Sequence, residues 1–234
     1  MEQLKFIMVG GNSGIGLEIA NQLASMGHIV HCLNRGSLKF ESTHQNLIWH
    51  RSDILDHSTE LPEIEGSVDG LIYCPGSINL KPFRLLKEID FTNDLNINLM
   101  GAVRVIQKYL PVLQMSVSAS IILFSTVAVQ TGMTFHASVA AAKGAVEGFG
   151  RALAAELAPS IRVNVIAPSL TNTPLAVKLI NNEAKLKVAA ERHPLKRIGI
   201  PEEVASLAVY LLSRQASWIT GQVIKIDGGI STLK

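Results

Sequence analysis

Short β-branched runs alternate with longer stretches of helical period along this chain, the order expected of βαβ units feeding a parallel sheet buried on both faces. Strands are predicted near Phe6 to Val9, Ile29 to Leu33, Leu47 to His50, Gly70 to Tyr73, Ser120 to Phe124, Arg162 to Ile166 and Val223 to Ile226. Helices are predicted at Ile15 to Met26, Glu88 to Leu113, Ser138 to Ala158, Leu175 to Arg192 and Glu202 to Ser213. The last is opened by Pro201, in the first-turn position where a missing N–H costs nothing. About sixteen residues separate Asp53 from Gly70, so that crossover has room for a very short helix at most. No linker, repeat or low-complexity tract interrupts the pattern, and residues 1–234 read as one α/β domain.

Composition narrows the partners. With 234 residues, 47% of them hydrophobic, the chain can bury a large core and still fits the size of one α/β domain. Twenty-one Lys and Arg against nineteen Asp and Glu leave a net charge of +2, too little for the footprint of a nucleic-acid binder. A small molecule is the expected partner. Cys32 and Cys74 each fall in an apolar run, where a thiol behaves as a small hydrophobe, and this fits a reducing cytoplasm. The opening MEQLKF passes straight into a glycine turn, with none of the features of a signal peptide. The stretch from Tyr109 to Phe135 carries no charge or histidine, but Ser, Thr, Gln, Gly and Pro interrupt it too often for a membrane span. No membrane partner and no metal are expected.

The candidate chemistry begins with VGGNSGIG, Val9 to Gly16, placed where the first strand hands over to the first helix. Gly10 permits the tight turn, Gly14 lets backbone approach a pyrophosphate, and Gly16 lets the helix pack close to the sheet. Asn12, Ser13 and Ile15 complete the turn, and the helix N-terminus supplies amide donors and a positive dipole end. The alternative is an ordinary strand-to-helix turn. With a strand before it, a helix after it and the alternating pattern behind, the motif reads as a dinucleotide site on a doubly wound, seven-stranded Rossmann sheet. About 20 positions on, the residue ending the second strand selects the cofactor, and that position reads Asn34-Arg35. No carboxylate is there to repel a 2′-phosphate, and Arg35 offers a planar fork that matches one. NADP(H) is therefore expected to be preferred, with NAD(H) possible. The competing reading is a solvated surface arginine.

From here the match extends over nearly the whole chain and resembles the short-chain dehydrogenase/reductase family. The family's TGxxxGIG turn appears with Val9 in place of threonine. Its acidic adenine contact falls on Asp53, beside Ile54, in RSDIL. Its NNAG segment falls on Tyr73-Cys74-Pro75-Gly76, where only Gly76 is kept. INLMG resembles the helix asparagine motif and places it at Asn98. APSLTNTP resembles the stretch that holds the nicotinamide, with Pro168 and Thr173 matching and Ser169 replacing glycine, and ITGQVIKIDGG matches the last strand.

The resemblance implies an active site of a tyrosine four residues before a lysine, with a serine thirteen residues before the tyrosine. Lys143 is in place, but the tyrosine position is Val139, and valine has no proton to give. The serine position falls on Thr126, beside Ser125. His136, two helical turns before Lys143, is the surrogate acid if the helix begins early, and otherwise an ordinary loop residue. That spacing resembles the enoyl-acyl carrier protein reductases. Tyr73 and Cys74 lie at a strand end facing the crevice, and strand packing accounts for them equally well.

The leading function is an oxidoreductase of the short-chain type acting on a small carbonyl or alcohol. Lys143 would bind the nicotinamide ribose and, with Asn98, order a relay water, while Thr126 or Ser125 would hold the substrate oxygen. The alternatives are a silent cofactor-binding sensor or structural subunit, and a reductase of activated carbon–carbon double bonds. Ala140, Gly144, Gly148 and Ala152 recur at four-residue spacing. With the family resemblance, that stripe implies a homodimer or homotetramer built partly on the helix of Lys143, unless it faces the sheet.

Overall fold

The computed structural model describes residues 2–36 and 44–233. Seven strands form one parallel sheet in the order β3-β2-β1-β4-β5-β6-β7. They are β1 Lys5–Val9, β2 Ile29–Asn34, β3 Leu47–Arg51, β4 Gly70–Tyr73, β5 Ala119–Phe124, β6 Ile161–Pro168 and β7 Val223–Ile226. The chain builds outward from β1 to β3 in one direction and from β4 to β7 in the other. A crevice therefore opens at the carboxyl ends of β1 and β4, where the strand order reverses.

Alternation along the strands sends side chains to two separate cores. Ile7, Val9, Leu71, Tyr73, Ile121, Leu123, Val163 and Val165 pack against α3 Gly101–Gln114 and α5 Ala137–Leu157. Phe6, Met8, Val30, Cys32, Ile72, Ile122 and Ile166 pack against α1 Gly14–Ser25 and α7 Pro201–Leu212. Small residues set the close approaches: a Cβ on Gly150 of α5 would stand 2.7 Å from Val165 Cγ2. The stripe of Ala140, Gly144, Gly148 and Ala152 looks the other way, with open space over Gly148.

Three stretches differ from the pattern-based expectation. The helix expected over Glu88 to Leu113 is α2 Glu88–Leu95, a π-helical turn Asn96–Met100, and then α3. In that turn the Gly101 amide bonds the Asn96 carbonyl, so the Ile97 carbonyl loses its usual helical donor. Tyr73 Oη donates to it at 2.6 Å. The helix expected over Leu175 to Arg192 is a 3₁₀ stretch Pro174–Leu179 followed by α6 Glu183–Glu191. Asn182 begins that second helix by accepting the Lys185 amide on its side chain, 2.9 Å. A short helix, α4 Ala128–Thr131, follows β5 where none was expected. Between β3 and β4 there is no helix. Arg104 instead holds that crossover by donating to the carbonyls of Ile54, Asp56 and Thr59 at 2.9, 2.7 and 2.5 Å.

Candidate active site

The glycine turn forms one wall of the crevice. Gly10 and Gly14 adopt φ of +79° and +52°, a region that favours glycine. A Cβ on Gly16 would fall 2.2 Å from the Gly10 carbonyl oxygen, so no other residue fits there. Asn12 and Ser13 are exposed on the turn, and the Ser13 carbonyl accepts the Leu17 amide as α1 begins. Cys74 lies under the turn: its sulfur accepts the Gly16 amide, and burial pushes its thiol up to about 11. Across the crevice Pro168 accepts the Val127 amide, 3.2 Å, and Thr173 packs against Gly14 with its Cβ 3.2 Å from where a Cβ there would stand.

At the far end of the crevice, Asn34 is only 3% exposed, and neither its side-chain oxygen nor its nitrogen has a partner. Ser52, whose amide donates to the Asn34 carbonyl at 2.8 Å, is equally buried with an unpaired hydroxyl. Two orphaned buried polar groups side by side mark a place completed by something else. Arg35 beside them is exposed. Asp53 accepts the Leu55 amide at 3.0 Å. The side chain of Ile54 packs in the core against Gly101, and its carbonyl accepts from Arg104 at 2.9 Å. The cradle of Gly10, Gly14 and Gly16 together with the unpaired Asn34 fits a dinucleotide.

In the middle stands Lys143, 7% exposed, donating to the Phe124 carbonyl at 2.8 Å. Burial pushes its ammonium down to about 8, while Cys74 and Asp94 act in the opposite direction. A Cβ on Gly76 would touch both Asn98 Oδ1, at 3.2 Å, and Lys143 Nζ, at 3.3 Å, so the two polar atoms converge on that glycine. Asn98 Nδ2 donates to Ser77 Oγ at 3.0 Å and to the Asp94 carbonyl at 2.7 Å, and Oδ1 is unpaired. Ser77 Oγ in turn donates to Asp94 Oδ1 at 2.6 Å.

Other candidates separate from this cluster. Ser125 Oγ donates to the buried Glu147 at 2.7 Å, so its hydroxyl is spent on α5. Thr126, half-buried, is not drawn onto α5 in this way, its Oγ1 accepting the Ala128 amide at 3.3 Å. Val139 is buried on the Lys143 helix. His136 caps that helix, and its ring is held by the Thr134 carbonyl at 2.7 Å. Among the described residues no hydrogen bond joins it to Lys143, Asn98 or Thr126, and seven helical residues span about 10 Å along the axis. Tyr73 points its phenol into the helix turn rather than the crevice.

Sequence reasoning missed four side chains here. Asp94 was legible in principle, four residues before Asn98 on one helix face. Ser77 adjoins Gly76. No spacing announced Glu147 or His193, whose Nε2 meets Ser169 Oγ at 2.8 Å.

A glycine turn at the switch point of a doubly wound sheet fits the class of dinucleotide-binding proteins, and the comparisons narrow it. A family model described as enoyl-(acyl carrier protein) reductase matches residues 9–231. MabA, a 3-oxoacyl-(acyl-carrier-protein) reductase of Mycobacterium tuberculosis, is 34% identical over 232 residues, 96% of this chain and 91% of that protein. A tropinone reductase homolog of Arabidopsis thaliana is 33% identical over 243 residues, 96% of this chain and 90% of that protein. A short-chain dehydrogenase/reductase structure from Brucella melitensis superposes with a TM-score of 0.85 at 27% identity, covering 98% of this chain and 97% of that one. The chain belongs to the short-chain dehydrogenase/reductase family, oxidoreductases that bind NAD(P)(H). No helix among the described residues is long and apolar enough to cross a membrane.

Proposed function

We propose that this chain is an NADP(H)-dependent reductase of a small-molecule carbonyl, working as a cytoplasmic homo-oligomer. The observation that carries the reading is the convergence of Lys143 Nζ and Asn98 Oδ1 on Gly76, beside a glycine turn built for a pyrophosphate. Amides at the start of α1 would hold the pyrophosphate, Asn34 and Arg35 the adenosine ribose and its 2′-phosphate, and Lys143 the nicotinamide ribose. When bound, the cofactor supplies hydride. Thr126 orients the substrate oxygen. Val139 stands where the family resemblance places the tyrosine, so the proton comes from a water held between the Asn98 carbonyl and the Lys143 ammonium. The convergence of a donor and an acceptor on Gly76 supports that placement.

The same absence of a fixed acid favours a second reading, reduction of an activated carbon–carbon double bond, in which the enolate formed takes its proton from water. Oxidation of NADPH followed with a panel of ketones and enones tests both. Turnover of ketones supports the first reading and turnover of enones alone the second. Tight NADPH binding with no turnover of any substrate would make the chain a cofactor sensor and overturn the proposal.

A further inference from the structure

Asp94 belongs to no part of the function proposed above, yet it is 2% exposed at the end of α2, beside the one helix turn that carries Asn98. A carboxyl group is rarely buried so completely unless its oxygens are engaged. Its Oδ1 accepts from Ser77 Oγ at 2.6 Å, and its main-chain carbonyl accepts from Asn98 Nδ2 at 2.7 Å. Its Oδ2 is unpaired and the residue lines a cavity of about 390 Å³, with Ile54, His57, Ser77, Ile97 and Met100 around it.

The polarity of this chain is forced. An ionised carboxylate only accepts, so the Ser77 proton goes to Asp94 and the Ser77 lone pairs must accept. Asn98 therefore presents its NH₂ group to Ser77. Its second N–H is claimed by the Asp94 carbonyl. With both hydrogens committed, Oδ1 is the only part of the amide left to face Gly76 and Lys143. Reversing the amide would set oxygen against a carbonyl that has no proton to give, and would leave Ser77 without its donor.

We propose that Asp94 is a positioning residue for the Lys143–Asn98 pair: through Ser77 its carboxylate locks the Asn98 amide with Oδ1 turned toward Lys143. The other groups facing Lys143 are the Cys74 thiol and the Phe124 carbonyl, neither of them a fixed negative charge. Glu147, one turn along the same helix, receives the Ser125 hydroxyl. The inference rests on Lys143 and Asn98 being the working pair, but its test needs neither cofactor nor turnover.

The experiment is NMR on the intact protein, reading the Asn98 side-chain amide protons and the Lys143 ammonium. In the wild type both Asn98 protons resist exchange with solvent. Ser77→Ala exposes one of them to rapid exchange, and Asp94→Leu, which removes the acceptor for the Ser77 proton, does the same while lowering the Lys143 midpoint by about one pH unit, the scale of a lost neighbouring charge. A residue that only filled space would change melting temperature and leave the Lys143 titration alone. Wild-type Asn98 protons exchanging as fast as those of a surface asparagine would overturn the proposal, whether or not either variant folds. Unchanged Asn98 signals in folded variants would do so too. If these signals behave as expected and no substrate is reduced, the functional reading fails and the positioning role stands.

Discussion

Tyr73 and Gly101 occupy each other's space: a Cβ on Gly101 would stand 2.2 Å from Tyr73 Oη, the same oxygen that donates to the Ile97 carbonyl. The strand β4 thereby pins the π-helical turn that carries Asn98. Removing the hydroxyl leaves a buried carbonyl unsatisfied, which costs about 1–3 kcal/mol. Adding a methyl at Gly101 forces overpacking of about 1–3 kcal/mol. Tyr73→Phe and Gly101→Ala are each expected to destabilise by such amounts. The double variant should lose less than their sum, because phenylalanine vacates the place the methyl needs. Urea unfolding of the four proteins measures the coupling, and strict additivity would refute it.

The proposed cofactor preference is tested at the end of β2. NADPH is expected to bind about tenfold to a hundredfold more tightly than NADH, the worth of a charged hydrogen-bonded pair at about 1.5–3 kcal/mol. Arg35→Ala should abolish the difference, and Asn34→Asp should reverse it by setting a carboxylate against the phosphate. Fluorescence titration with both reduced cofactors decides the matter. Equal affinities in the wild type would discard the assignment of Arg35.

Stability should depend on pH through two rings at the sheet edge. His31 Nδ1 and His50 Nε2 are 3.0 Å apart in stacked rings on β2 and β3. Burial, then the neighbouring His50 and Lys5, pushes His31 down to about 4, and burial lowers His50 as well. The folded protein thus holds these rings neutral, while the unfolded chain takes up protons from about pH 6.5 downward. Their contribution to stability is complete above that value and is lost as pH falls toward 4. Chemical unfolding from pH 7.5 to 4.5 should show a falling midpoint, and His31→Phe should flatten it. His28, also lowered by burial, leaves a residual slope. A profile unaltered by His31→Phe would remove the pair from the account.

The proton donor can be assigned by two substitutions. With water as donor, His136→Gln keeps turnover within about tenfold of wild type, whereas loss of a true general acid costs about two to four orders of magnitude. A drop of that size would return the role to His136. Val139→Tyr should raise carbonyl reduction by a comparable factor, since it sets a phenol one helical turn from Lys143.

Assembly through α5 is expected because its small-residue stripe faces outward. Sedimentation at micromolar concentration should show a dimer or tetramer, and Gly148→Leu should weaken it without unfolding the chain, there being open space at that position. A monomeric wild type would end this expectation.

The seven strands and the glycine turn were legible because they are local: β-branched runs fix the strands, and Gly10, Gly14 and Gly16 fix the handover to α1. Lys143 and Asn98 were singled out through the family resemblance, and the structure brings Lys143 Nζ and Asn98 Oδ1 to the same glycine, Gly76. What pattern could not give was the direction of polar side chains. Tyr73 reads as a crevice residue until its bond to Ile97, 24 positions away, turns it inward. Ser125 and Thr126 are interchangeable in sequence, and only Glu147, brought near by α5, separates them. The single helix expected over Leu175 to Arg192 had apolar residues at the right period, but the Asn182 side chain restarts it.

The loop after β5 is riveted to α5 at two points one helical turn apart, Phe124 to Lys143 and Ser125 to Glu147. Thr126, the next residue in the chain, is thereby tied to the helix that carries Lys143. By contrast α6 buries no side chain. Changes in α6 would leave the spacing of Thr126 and Lys143 untouched, since that clamp is made by β5 and α5 alone.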